Sequence, residues 1–389
     1  MTVQTFGDDG YNGLRRAEET LPSHYYFDAA QYQRELDAIW YRNWVYLCRA
    51  KSLETPGSYR TFDLGTQQIL LLRDEEGGLR AFHNTCRHRG ARLCPAVAGR
   101  FGANRIVCPY HRWTYSLEGR LLRTSSLARP EGFDPADYPL YDVAVREWGG
   151  FVFINLAGDD GSSVERSFDR DSARLDHWPL EDLVVGHSFR KVFACNWKLF
   201  WDNFNECLHC PGVHPELCSL VPIYGRAIMA EHDDPRWREH TALDDPRFKG
   251  GLRRGAATWS MDGQAQGATF QGLSDAERRA GHTFVTCLPS VYVVAHVDYV
   301  RAVRLRPLGP EQTELYAEWL FPSETLADAA FDPANVVEFP ILVMEQDAAV
   351  CELNQQGLRA LRHETGVLMP EEYILKRFHD WVRAELRRG

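Results

Sequence analysis

No apolar run in these 389 residues approaches the ~20 needed to cross a bilayer, which argues against a membrane-spanning protein. A secretory leader is missing too: Met1 to Tyr11 carry two acids and no lysine or arginine, so the cytoplasm is the expected setting. Basic charge is short as well. Lys and Arg number 44 against 54 Asp and Glu, a formal net charge of -10, and no polycationic face is on offer for nucleic acid. Internal repeats and low-complexity tracts are absent. So is a glycine-rich dinucleotide fingerprint, since Gly77-Gly78 and Gly250-Gly251 read as isolated turns. A nicotinamide cofactor would have to be handled by another protein.

What is present looks globular. The chain is 44% hydrophobic and 25% charged, and its length exceeds what one core usually absorbs, so two domains are expected. Ten cysteines without a leader are a poor disulfide framework; buried thiols and metal ligands are the expectation.

Asp28 can cap an amphipathic helix with Tyr32, Leu36, Ile39 and Trp40 on one stripe. The pattern then turns to short strands. Ile69–Arg73 and Leu79–His83 flank an Asp74–Gly78 turn as a hairpin, and Arg105–Cys108, Trp113–Ser116 and Phe151–Asn155 follow. After a polar stretch from Ala157 to Arg170, helices are expected over Trp197–His209 and Val336–Leu361, the latter with Pro340 near its start. Strands are expected over Val291–Val297 and Glu314–Leu320. Pro370 opens a last helix whose apolar face is Ile374, Phe378, Trp381 and Val382.

Two half-motifs stand in the β-rich part: Cys86-Arg87-His88 and Cys108-Pro109-Tyr110-His111, with nineteen residues between His88 and Cys108. A structural zinc finger also uses two cysteines and two histidines, but it normally pairs its cysteines first and its histidines later on a helix. Here each half supplies one of each. That division suits a Rieske centre, in which one iron takes both cysteines and the other both histidines.

On these loops the chain resembles the Rieske non-haem iron oxygenases, over nearly its whole length. The resemblance implies an α+β protein: an all-β Rieske [2Fe–2S] domain in the N-terminal half and a larger helix-grip catalytic domain, an antiparallel sheet with helices. The expected division is 1–44 as a helical segment packing on the catalytic domain, 45–156 as the Rieske domain and 157–389 as the catalytic domain. Cys86 and Cys108 would hold one iron, His88 and His111 the other. Arg112 departs from the glycine common at its position. Cys94 is read as a buried thiol, since both ligand halves are complete without it.

The stretch from Asn196 to Pro215 suggests a second metal. On a helix, Asp202, Glu206 and His209 share one face, and a break at Pro211-Gly212 lets His214 swing back toward His209. Two histidines and a carboxylate with open positions form the facial triad of iron(II) oxygenases. Asp347, an acid in an apolar helical stretch, is the best third member, and the resemblance selects it over Glu345 and Glu352. A zinc site of Cys207, Cys210, His209 and His214 is the competing arrangement, although adjacent His209 and Cys210 reach one tetrahedral ion poorly. Glu206 is the expected bridge from His209 to His111 of a neighbouring subunit, with Asp202 a weaker supporting acid.

The resemblance further implies a mononuclear Fe(II), O₂ as co-substrate, a small-molecule substrate, a separate flavin/iron–sulfur reductase or ferredoxin, and a head-to-tail homotrimer. Three features lean toward the carnitine, glycine betaine and stachydrine oxygenases and so toward N-methyl oxidation. These are the acid Glu206, the short chain, and the segments Thr258–Gly263 and His209–Leu217; Leu208 departs from a tyrosine common in that branch. The alternatives are an aromatic-ring dioxygenase and, in a different class, an electron-transfer or sensor protein lacking oxygen chemistry. Trp201, Phe204, Trp259, Tyr292 and Phe321 are candidates for an aromatic cage or a slot for a flat ring.

Overall fold

A computed structural model describes residues 10–158, 161, 163–168 and 172–388. Met1 to Asp9 and parts of the polar stretch 157–170 lie outside the described residues. The chain forms two compact units, 40–167 with 288–290, and 1–39 with 168–287 and 291–389.

The smaller unit is built from β-strands. Strands β1 (Val45–Arg49), β2 (Ser58–Leu64), β3 (Gln67–Arg73), β4 (Leu79–His83), β5 (Ala98–Arg100), β9 (Asp142–Trp148) and β10 (Phe151–Asn155) form a seven-stranded sheet in the order β1-β10-β9-β4-β3-β2-β5. The expected hairpin is β3–β4, where the Asp74 carboxylate accepts from the amides of Glu76 and Gly78 and so sets the turn. A second sheet joins β6 (Arg105–Val107), β7 (Thr114–Ser116) and β8 (Leu121–Arg123). Cys86, Cys94 and Cys108 lie in one buried cluster with Leu70, Phe82 and Tyr115.

The larger unit holds a five-stranded antiparallel sheet. Its strands β11 (Val184–Phe193), β12 (His282–Cys287), β13 (Val291–His296), β14 (Val300–Gly309) and β15 (Gln312–Phe321) run in the order β11-β15-β14-β13-β12. The helices of this unit include α1 (Ala29–Glu35), α2 (Trp197–Phe204), the short α3 (Cys210–Val213) and α4 (Pro215–Leu220), α5 (Ala334–Gly357) and α6 (Tyr373–Arg388). Of these, α2 and α5 pack against the sheet and against each other, and α6 packs on α2. Asp28 caps α1 as expected, accepting from Gln31 N at 2.7 Å. The buried side of α6 is Tyr373, Leu375, Phe378 and Val382, one step round from the stripe expected, leaving Ile374 and Trp381 half-buried. Among the described residues no helix is long and apolar enough to cross a membrane.

The expected helix over Trp197–His209 ends five residues early, at Phe204. Asn196 starts it by accepting from Lys198 N at 3.0 Å. Beyond Asn205 the Glu206 carboxylate accepts from the Leu208 amide and turns the chain out of the helix. Asp202, Glu206 and His209 therefore do not share a helical face. Pro211 and Gly212 do not break a helix either. Pro211 sits in the first turn of α3, where its missing N–H costs nothing.

One buried ion pair ties α2 to α1. Lys198 Nζ donates to Glu35 Oε2 at 2.6 Å, both side chains are 0% exposed, and Trp197 Nε1 and Gln31 Nε2 complete the carboxylate's partners at 2.9 Å each. Burial pulls the Lys198 ammonium below its ordinary pKa, and the contact with Glu35 opposes that pull. Removing one member strands the other charge in the core, which typically costs about 3–5 kcal/mol. Glu35→Ala is therefore expected to lower unfolding stability by that amount in chemical denaturation; a loss below ~1 kcal/mol would mean the pair does not anchor α2.

Candidate active site

In the smaller unit the two loop motifs face each other. His88 and His111 have ring centroids 4.7 Å apart, and Trp113 stacks on His88 at 4.8 Å. Cys86 and Cys108 are buried, whereas His88 is exposed and His111 half-buried. Thiols inside and imidazoles outside make two pairs, one of cysteine and one of histidine. A two-iron cluster with a cysteine pair on one iron and a histidine pair on the other fits that division. The Tyr115 hydroxyl lies 3.3 Å from Cys86 Sγ and accepts from Arg87 N at 3.2 Å, so its proton is left for the sulfur. Sequence reasoning missed Tyr115. Cys94 is clamped through its backbone by the Asn84 amide, and burial pushes its thiol up to about 12. Arg112 adopts φ 60°, the left-handed conformation that favours glycine, because the chain must double back between Cys108 and Trp113.

In the larger unit, His209, His214 and Asp347 converge. Their ligand atoms all lie within 4.8 Å of one another, and among the described residues this is the set with that property. Asp347 Oδ1 is 2.9 Å from His214 Nε2 and 3.5 Å from His209 Nε2. Both rings are held from behind. His209 Nδ1 donates to Glu206 Oε1 at 2.5 Å, and His214 Nδ1 donates to Gln346 Oε1 at 2.7 Å. With each Nδ1 engaged outward, both Nε2 atoms face Asp347, the tautomer a metal ligand needs. Gln346 is itself held by Glu216 at 3.0 Å, and Asn203 Nδ2 stands 3.3 Å from His209 Nε2. These amides carry no charge pattern, and the sequence did not reveal them.

Asp202 is not brought to this site. Its carboxylate accepts from Tyr26 Oη at 2.7 Å and His379 Nε2 at 3.0 Å, on the side of α2 toward α6. Cys207 and Cys210 are joined in a disulfide, so neither offers a thiolate and the competing zinc arrangement falls. The expectation that cysteines here are free thiols or metal ligands fails for this pair alone among the described cysteines.

A cavity of about 100 Å³ opens onto the triad. Phe204, Trp259 and Tyr292 line it as expected, with Phe204 and Tyr292 at 4.3 Å between centroids. Trp201 and Phe321 do not; they are core residues with no exposure. Tyr224, Phe284, His282 and Arg301, unforeseen from sequence, also line it, together with the aliphatic Leu217, Val294 and Val343 and the thioethers of Met229 and Met344.

Residues 180–388 match the ring hydroxylating alpha subunit (catalytic domain) family, and residues 43–138 match the Rieske [2Fe-2S] domain. The chain belongs to the Rieske ring-hydroxylating oxygenase family. It is 29% identical to the glycine betaine monooxygenase oxygenase subunit of Chromohalobacter salexigens, over 94% of this chain and 86% of that protein. It is 27% identical to the chloroplastic choline monooxygenase of Beta vulgaris, over 95% and 77% respectively. A quaternary ammonium Rieske monooxygenase in complex with L-carnitine shares its fold, with TM-score 0.69 and 20% identity across 98% of this chain and 99% of that one. As a Rieske oxygenase the chain is an O₂-dependent oxidoreductase with a [2Fe–2S] cluster and a mononuclear iron, taking a small-molecule substrate and electrons from a separate reductase. The catalytic domain excludes a protein limited to electron transfer.

Burial holds the His209 imidazolium down, but its bonds to Asp347 and Glu206 outweigh burial and lift it to about 9. Asp347 is displaced downward: burial raises it, and the two histidines overcome that. Without metal, His209 therefore keeps a proton below about pH 9 that a bound metal must displace. Apparent iron(II) affinity should climb with pH toward tenfold per unit below that value and flatten above it. Anaerobic iron(II) titration of protein stripped of its mononuclear metal, at about pH 6.5, 7.5 and 8.5, checks this; a flat profile would contradict it.

Proposed function

We propose that this chain is the oxygenase component of a cytoplasmic Rieske monooxygenase that oxidises an N-methyl group of a small quaternary amine. Cys86 and Cys108 hold one iron of the cluster and His88 and His111 the other; His209, His214 and Asp347 hold the mononuclear iron. A cytoplasmic setting follows from the need for a reduced pyridine nucleotide, which reaches the oxygenase as electrons through a flavin/iron–sulfur reductase or ferredoxin.

The observation that carries the reading is the small, aromatic-walled cavity opening onto the triad. Its volume is well below the ~300–1,000 Å³ of pockets for drug-sized ligands, which disfavours fused aromatic rings. Faces of Phe204, Phe284, Tyr292 and Trp259 suit a methylammonium, each cation–π contact contributing about 0.5–2 kcal/mol. The named activities of the glycine betaine and choline monooxygenases support the same choice.

The iron supplies O₂ activation when bound. The residues around it do the positioning: Glu206 and Gln346 fix the two imidazoles, and the aromatic walls present one N-methyl group and exclude bulk water. The reaction balances as R₃N⁺–CH₃ + O₂ + 2e⁻ + 2H⁺ → R₃N⁺–CH₂OH + H₂O. The hydroxymethyl product then releases formaldehyde and a tertiary amine, the departing proton coming from its hydroxyl.

Electrons pass between subunits of a head-to-tail homotrimer, a heterologous interface that closes on itself. Glu206, already behind His209, joins that imidazole to His111 of the partner subunit. Glu206→Gln is expected to keep both metals and lose about 10- to 100-fold in turnover, as supporting carboxylates of ligating histidines do. Full activity, read against iron content and the visible spectrum, would remove Glu206 from the path. With quaternary amines, O₂ uptake should yield one formaldehyde per O₂ and one labelled oxygen per substrate. A cis-diol from an aromatic substrate, with no formaldehyde from any amine, would favour ring dioxygenation.

A further inference from the structure

A guanidinium lines the cavity just assigned to a cation. Arg301 lies on β14, opposite Val294 of β13 and Trp319 of β15, in a row that Phe284 of β12 extends. It is 4% exposed. Its Nε is fully buried and has no hydrogen-bond partner, and among the described residues no carboxylate lies within 4.0 Å of the guanidinium. The ring it faces is Trp259, 5.9 Å from Cζ to centroid.

The neighbouring groups do not neutralise it. Asp298 commits its carboxylate to the Thr258 hydroxyl at 2.6 Å and the Gln266 amide at 2.8 Å. His296 is a buried imidazole and His282 a half-buried one; desolvation pushes both down first and Arg301 adds to it, His282 to about 4, so neither adds or removes charge at neutral pH. Asp347 sits at the triad end of the same cavity. A buried arginine without a counterion is costly. It is tolerated where a ligand supplies the anion, and a guanidinium's fork of N–H donors matches a carboxylate.

We propose that Arg301 receives the carboxylate of the substrate, and that the substrate is a zwitterion: a short amino-acid betaine, not an amino alcohol. This rests on the reading of the cavity as an amine site and narrows it. Tyr292 lies diagonally across from Arg301, at ~7–8 Å by sheet geometry, and lines the same cavity as Asp347. A short substrate then spans the space, its carboxylate on Arg301 and its methylammonium against Phe204 and Tyr292 beside the triad. A cation lacking the carboxylate meets only repulsion from the guanidinium.

The test compares glycine betaine with choline, its alcohol counterpart, and with benzoate, on iron-replete enzyme, by formaldehyde release, coupled O₂ uptake and anaerobic calorimetric binding. Glycine betaine should be preferred over choline by at least about 100-fold in kcat/KM. Arg301→Gln should lose at least about 30-fold for glycine betaine, mostly in KM, while choline is unchanged or improved. Arg301→Lys, with intact iron content and visible spectrum, should bind glycine betaine more tightly than Arg301→Gln does; this guards against a folding defect. Equal use of glycine betaine and choline, or Arg301→Gln binding glycine betaine as wild type does, overturns the proposal, as does failure of both carboxylates to bind. If benzoate alone binds and drives O₂ uptake in an Arg301-dependent manner, the carboxylate anchor stands and the N-methyl reading falls.

Discussion

The catalytic unit depends on a contact between residues 133 positions apart, His214 Nε2 and Asp347 Oδ1 at 2.9 Å. Two imidazoles and a carboxylate lose solvation when they are gathered in a cavity, and in the absence of metal their mutual hydrogen bonds supply the compensation. The contact holds only if α5 lies correctly over the loop after α2. Several polar interactions enforce that placement. Gln346, next to Asp347 on α5, grips His214 and Glu216; Ala194 N donates to Glu352 and Asn196 N donates to Gln355, so α5 is fastened to the chain leading into α2. The Glu35–Lys198 pair then fixes α2 from its other side.

In the smaller unit a different constraint governs. The cysteine halves of the two loops point into a hydrophobic cluster and the histidine halves point out. That polarity lets one end of a cluster be screened from water while the other stays within reach of a redox partner. Replacing two thiolates by neutral imidazoles lifts the potential of such centres to roughly -150 to +300 mV, against about -400 mV for all-cysteine ferredoxins.

Much of this was legible in the sequence because its signals are local. The C-x-H and C-x₂-H loops, the β3–β4 hairpin and the strands β10, β13 and β15 are each written in a few adjacent residues, and the structure has those elements within a residue or two. What failed depended on competition between neighbours. The extent of α2 was overestimated because Glu206 looked like one more helical acid, while in the structure it takes the Leu208 amide and ends the run. Asp202 was grouped with it by the same periodicity and instead faces Tyr26 and His379. The Cys207–Cys210 disulfide was not foreseen: the pair was considered only as zinc ligands, although the same Cys-x₂-Cys spacing serves both chemistries. Gln346, Asn203 and Arg301 left no pattern at all, because a single polar residue on a strand or helix becomes meaningful only when the facing residues are known.

The strand that carries Arg301 is the middle one of five, hydrogen-bonded on both edges. A loop-borne charge can drift aside to admit a different molecule, at the expense of a few torsions. Here the backbone under the guanidinium has no such latitude, so selectivity is written into the scaffold and is insensitive to remodelling of the entrance. Adapting this pocket to an uncharged molecule would require replacing the arginine itself, and no rearrangement of the surrounding loops would do instead.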